Sequence, residues 1–119
     1  MRILLDNCVP YRVRELFPGH EVVHTSDIGF ENLYNGDLIT QAATAGFDIL
    51  VTTDKNIRYE HNLANVALPI VELNTRFTRF SDLRTLTPHL ESALIASREF
   101  AFVSVGADGT LEKLGERTT

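Results

Sequence analysis

Cysteine is almost missing from this chain: Cys8 is the single one in 119 residues. One thiol cannot build an internal disulfide framework, so the chain is expected to fold without covalent cross-links, as proteins of a reducing cytoplasm do. Long apolar runs are missing too, and none approaches the ~20 residues a membrane-spanning helix needs. The start, "MRILLDNCVP", places an acid six residues in and offers no small-residue cleavage site, so a secretory leader is not expected. No glycine-rich, phosphate-cradling loop is present, which argues against nucleotide binding of the P-loop or Rossmann kind. Zinc-motif spacing is also lacking: His20, His24, His61 and His89 are scattered without cysteine partners and read as surface or structural groups. Cys8 has no His and Asn constellation around it and reads as a small packing residue. Positive charge is in deficit, with 11 Lys and Arg against 16 Asp and Glu, a net charge of −5. That argues against generic, charge-driven nucleic-acid binding. Nucleic acid as a substrate is compatible with it, because a carboxylate metal site brings negative charge of its own.

What is there is a series of short, near-continuous apolar runs: "ILL" (3–5), "EVVH" (21–24), "DILVTT" (48–53), "PIVEL" (69–73) and "FAFVSV" (100–105). Runs that do not alternate polar with apolar are strands covered on both faces, as in a parallel sheet. Helical spacing fills the gaps. Val9, Val13, Leu16 and Phe17 recur at i, i+4, i+7, i+8 before Pro18-Gly19 ends the segment. Leu38, Ile39, Ala42 and Ala43 line a second helix that stops at Gly46, and a weak pattern after Asp54 allows a short helix to about Ala64. Leu86, Leu90, Ala93 and Leu94 line another, with Thr87-Pro88 as its N-cap and N1 pair. Arg12, Arg14 and Arg58 read as exposed helix charges. Asp108-Gly109 is a hairpin signal, so a final antiparallel edge strand is expected near Thr110–Leu114, with a polar tail from about 115. Alternating strand and helix predict one layered α/β domain over 1–119, a mainly parallel central sheet with a C-terminal antiparallel edge hairpin.

In such sheets ligands sit outside the carboxyl ends of the strands, near the point where strand order reverses. Asp6 ends the first strand and Asp54 the third. Adjacent strands lie about 5 Å apart, so neighbouring strand ends would let the two carboxylates share a cation. Asp37 would join them from the first turn of the second helix, and Asn7 and Asn56 would supply neutral oxygens. Oxygen ligands suit Mg²⁺ or Mn²⁺ rather than zinc. Each acid also has a plainer role: Asp54 as an N-cap, Asp37 as a first-turn charge favoured by the helix dipole, Asp6 in an Asx-type turn. Asp27, in "SDIG", reads equally well as part of a turn. In "NTRFTRF" (74–80), Arg76 and Arg79 alternate with aromatics, a pattern able to contact RNA phosphates while bases stack. The competing placement buries both Phe77 and Phe80 under the next helix.

The stretches "RILLDNCVPYRVRELFPGHEVVHTSDIG", "NGDLITQAA" and "ILVTTDKN" resemble, in order and spacing, the small PIN-like proteins of the DUF5615 type, over roughly residues 1–75. The resemblance implies a three-layer α/β/α PIN-like fold. It also implies a metal-dependent ribonuclease in the cytoplasm, often the toxin of a bacterial toxin–antitoxin pair, with RNA as substrate, an antitoxin protein as partner and a homodimer as assembly. Carried over by position, it assigns catalytic and metal-binding roles to Asp6, Asp37 and Asp54; at such a site the charge of Lys55 would neutralise a substrate phosphate. The chain departs from the pattern at Asn7, often Glu, and at Asn56, often Asp, which leaves three carboxylates. A catalytically degenerate module that binds protein or RNA without cleaving it is the alternative. A receiver-type phosphoacceptor domain has similar length and an acid ending its third strand, but the lysine it needs after the fifth strand has no counterpart in "FVSVGADG".

Overall fold

The computed structural model describes residues 1–60 and 66–117. In chain order it has β1 (Arg2–Leu5), a 3₁₀ segment (Tyr11–Leu16), β2 (Glu21–His24), a 3₁₀ turn (Thr25–Asp27), α1 (Asn35–Thr44) and β3 (Ile49–Thr52). Then follow α2 (Ile57–Glu60), β4 (Ile70–Asn74), α3 (Phe80–Leu83), a 3₁₀ turn (Arg84–Leu86), α4 (Thr87–Ala96), β5 (Phe100–Gly106) and β6 (Leu111–Glu116). The expected end of the helix after Asp54, toward Ala64, lies outside the described residues, as does His61.

Among the described residues the strands form one six-stranded sheet in the order β2-β1-β3-β4-β5-β6, all parallel except the β5–β6 pair. Alternation along each strand gives the sheet two apolar faces. On one, Ile3, Leu5, Val51, Val71, Leu73 and Val103 pack against Val13 of the first 3₁₀ segment and Leu83, Leu90 and Leu94 of α3 and α4. On the other, Leu4, Leu50, Ile70 and Phe102 pack against Leu38 and Ile39 of α1 and Ile57 of α2. Helices therefore cover both faces of the sheet, and strands buried on both sides need no polar alternation.

Three expectations are corrected in detail. The segment between Pro10 and Pro18 is 3₁₀ rather than α: Val13 N donates to Pro10 O three residues back at 3.0 Å. Side chains at i and i+3 eclipse in that geometry, and the Arg14 guanidinium accordingly stacks 4.1 Å from the centre of the Tyr11 ring. The N-cap of α4 is Leu86, not Thr87, because the Arg84–Leu86 turn runs straight into the helix; the Thr87 hydroxyl donates to Arg84 O instead. Strand β6 continues to Glu116, two residues beyond the expected end, since it pairs along β5 as far as Phe100. Its hairpin has the expected Asp108-Gly109. A turn closed by Gly109 N to Gly106 O (2.9 Å) is followed by Gly109 at φ +88°, the left-handed position of a three-residue hairpin loop.

Candidate functional site

The chain runs from β1 outward to β2, then crosses back to β3 on the other side of β1, so strand order reverses between β1 and β3. Asp6 follows the last residue of β1, and Asp54 lies two residues beyond β3. Both line an open cleft of about 520 Å³ at this reversal, together with Asn7, Cys8, Glu31, Tyr34 and Thr78.

Thr52, the last residue of β3 and fully buried, joins the two acids. Its hydroxyl donates to Asp6 Oδ2 at 2.8 Å and accepts from Asp54 N at 3.0 Å. Asp6 N donates to Val51 O, which keeps the β1–β3 ladder going one step past the strand end. Asp6 Oδ1 accepts from Asn7 N (2.7 Å), and Asp54 Oδ1 accepts from Asn56 N (2.9 Å). Asp54 thus makes an Asx-type turn ahead of α2 instead of capping it, Asp6 binds the N–H of the next residue instead of closing an Asx turn, and each carboxylate oxygen keeps lone-pair capacity for a further partner. The Thr53 hydroxyl donates to Cys8 O at 3.4 Å and ties the two strand-end loops together.

The remaining candidates separate. Asp37 sits in the first turn of α1, exposed to solvent, where the helix dipole favours its charge; it is not among the residues lining the cleft. Lys55 does not point into the cleft: its Nζ donates to Thr75 O at 2.7 Å, clamping the loop after β4. Cys8 is exposed at the cleft, not a packing residue, with Sγ 3.5 Å from Thr52 Oγ1. Asp27 caps its own 3₁₀ turn, accepting from His24 N at 2.9 Å and from the Tyr11 hydroxyl. The His24 backbone N–H, ahead of the Tyr11 hydroxyl, holds the Asp27 carboxyl below the usual carboxylate range. His24 is buried, its Nε2 2.8 Å from Val9 O, and His20 pairs with Glu91 at 2.7 Å; both are structural. Of the two aromatics in "NTRFTRF", Phe80 packs against the core, whereas Phe77 is 55% exposed.

Two further carboxylates stand at this end of the sheet without having been singled out in the sequence. Glu31, in the irregular loop before α1, faces the cleft; nothing periodic marks it. Glu72 had a signal, a charge inside the apolar run "PIVEL". It pairs in register with Thr52 on one side and Ser104 on the other, and Ser104 in turn with Glu112. Glu72 is 1% exposed; Ser104 Oγ donates to its Oε1 at 3.0 Å, and Arg58 approaches the same oxygen at 3.5 Å. Arg58 also binds Glu112 at 2.7 Å and stacks 4.8 Å from the centre of the Phe102 ring. It is therefore a semi-buried bridge rather than an exposed helix charge, because α2 lies directly over β4, β5 and β6.

Among the described residues, no three His, Cys, Asp or Glu side chains converge closely enough to hold an ion. The cleft fits a divalent cation in the kind of donor it offers, hard carboxylate oxygens, and Asp6 and Asp54 are the adjacent pair. A larger depression of about 720 Å³ lies at the opposite end of the sheet, beside Asp48, Pro69 and Arg98. Its one carboxylate, Asp48, already accepts from Arg2 N at 2.7 Å, so it lacks equivalent chemistry. No helix is long and apolar enough among the described residues to cross a membrane. Comparison with protein-family models, curated proteins and solved structures returned no match to this chain.

Proposed function

We propose that this chain is a PIN-like, metal-dependent ribonuclease that hydrolyses a phosphodiester bond at the Asp6–Asp54 cleft, and that it acts in the cytoplasm as the toxin of a bacterial toxin–antitoxin pair, as a homodimer. One observation carries the reading. Two carboxylates stand at the ends of adjacent parallel strands at the reversal of strand order, where open α/β sheets bind ligands, and one buried hydroxyl ties the Asp6 carboxylate to the Asp54 backbone N–H. Asp6 and Asp54 would hold Mg²⁺ or Mn²⁺, with Asn7 as a neutral oxygen donor; Glu31 lines the same cleft but does not converge with the pair into a three-carboxylate site. Such an ion, when bound, supplies Lewis-acid stabilisation of the phosphorus oxygens and a more acidic water. Thr52 is a positioning residue that fixes the orientation of Asp6. Asp37, outside the cleft, contributes helix-dipole stabilisation instead of a ligand, and Lys55 holds the 75–78 loop instead of a phosphate.

The receiver-type alternative shares this strand order, but the residues at and after the end of β5, Gly106-Ala107-Asp108, contain no lysine to neutralise a phosphoaspartate. The non-cleaving module is favoured by Asn7 and Asn56, amides in place of acids. Cleavage of a labelled single-stranded RNA in Mn²⁺, with wild type beside Asp54→Asn purified identically, separates the two. Cleavage lost in the variant and with chelator supports the nuclease. Equal cleavage by both proteins, or none by either, contradicts it.

A further inference from the structure

Phe77 is exposed although Phe80, three residues later, is packed against the core beneath Arg12, whose guanidinium lies 4.1 Å from the Phe80 ring centre. The guanidiniums of Arg76 and Arg79 lie 5.2 and 5.7 Å from the centre of the Phe77 ring. Single exposed aromatics are ordinary on protein surfaces. Phe77 differs in how its backbone is held. Thr75 Oγ1 donates to Phe77 O at 2.5 Å, and Lys55, the neighbour of Asp54, grips Thr75 O. The next residue, Thr78, lines the acidic cleft itself. On the same cleft Tyr34 leaves 78% of its surface exposed. An aromatic ring flanked by cations thus stands on a tethered loop beside the two acids, and a second ring stands on the cleft wall.

We propose that the 75–79 loop is a base-stacking platform for unpaired RNA, on which Phe77 takes a base while Arg76 contacts the adjacent phosphate, with Tyr34 as a second stacking surface. Lys55 is the positioning residue that presents the platform to the cleft. The proposal rests on the ribonuclease reading only for where the strand is then cut. An acidic protein cannot hold RNA by bulk charge, so its contacts must be local and must use the base faces as well as the phosphates. Duplex RNA hides those faces within its stack, which is why the occupant is unpaired. A phosphate–guanidinium contact beside a stacked ring matches both parts of a nucleotide, whereas an apolar protein partner would leave Arg76 without counter-charge; Arg79 already pairs with Asp82 at 2.9 Å.

The test is binding without cleavage: fluorescence anisotropy of a labelled ten-nucleotide single-stranded RNA in chelator, with Asp54→Asn as background. Stacking on one aromatic predicts that adding Phe77→Ala weakens binding roughly 5- to 150-fold, and that Phe77→Trp retains it. Tyr34→Ala acts in the same direction. An oligonucleotide backbone without bases should bind with equal affinity before and after Phe77→Ala. Unchanged RNA affinity on Phe77→Ala, equal weakening for the base-free backbone, or tighter binding of duplex overturns the platform. So does absence of RNA binding altogether, which would point to a protein partner for Phe77. Base-dependent binding by a protein that does not cut leaves the platform standing and removes the nuclease. Cleavage that is indifferent to Phe77→Ala does the reverse.

Discussion

Replacing Thr52 with Val removes the hydroxyl that couples the two strand-end acids while keeping the shape of a fully buried side chain. Two strong hydrogen bonds go, the donation to Asp6 Oδ2 at 2.8 Å and the acceptance from Asp54 N at 3.0 Å, together with the weak contact to Cys8 Sγ at 3.5 Å. A bond to a charged group contributes about 1.5–3 kcal/mol and a neutral one about 0.5–1.5. Asp6 is half-buried and can recruit water, which places its share at the low end, and the added methyl returns about 0.8 kcal/mol of apolar burial. The net loss is therefore about 2 kcal/mol, which in urea denaturation moves the midpoint down by roughly 1 M at a slope typical of small proteins. Thr25→Val is the control. Thr25 is equally buried, but its hydroxyl has no hydrogen-bond partner among the described residues. Removing an unpaired buried hydroxyl is expected to leave stability unchanged or raise it by up to about 1 kcal/mol. Equal midpoint shifts for the two variants, or a more stable Thr52→Val, would refute the hydrogen-bonded coupling of the acids.

Other substitutions follow from the same structure. Arg58→Met strands the buried Glu72 carboxylate and is expected to cost about 3–5 kcal/mol in chemical denaturation, while adding Glu72→Leu recovers most of the loss, since replacing a whole buried pair is close to neutral. Asp27, whose folded pKa lies below its unfolded value, stabilises the fold above about pH 4 and loses that contribution as pH falls through the folded value; Asp27→Asn should flatten this part of the acid-unfolding profile. Gly109→Ala forces a side chain into the left-handed region and brings its Cβ to 2.9 Å from His89 Cε1, so thermal unfolding should show a loss of at least about 1–2 kcal/mol.

The strands were legible because parallel strands covered on both faces carry uninterrupted apolar runs, and "ILVT" and "ILL" do so here. Strand-end acids were legible for the same reason: a run that stops at Asp6, or just short of Asp54, marks where the chain leaves the sheet. Lateral order was not, because no residue of β1 states which strands will flank it. Glu31 and Tyr34 escaped notice since a loop has no period to betray which way its side chains face. Phe77 and Phe80 share one local pattern, and only the docking of α3 decides that the second is buried and the first exposed. Arg58 and Glu72 were separable only in space: they are 14 residues apart and meet because α2 folds back over β4.

The nuclease proposed for the cleft depends on Asp6 and Asp54 holding a divalent cation between them. Calorimetric titration of Mn²⁺ into wild type, Asp6→Asn, Asp54→Asn and Asp37→Asn decides whether they do. Stoichiometric binding by wild type and Asp37→Asn, weakened by at least ~10-fold in either strand-end variant, is the predicted result. Absence of binding in wild type, or affinity unchanged by Asp6→Asn and Asp54→Asn, would contradict it.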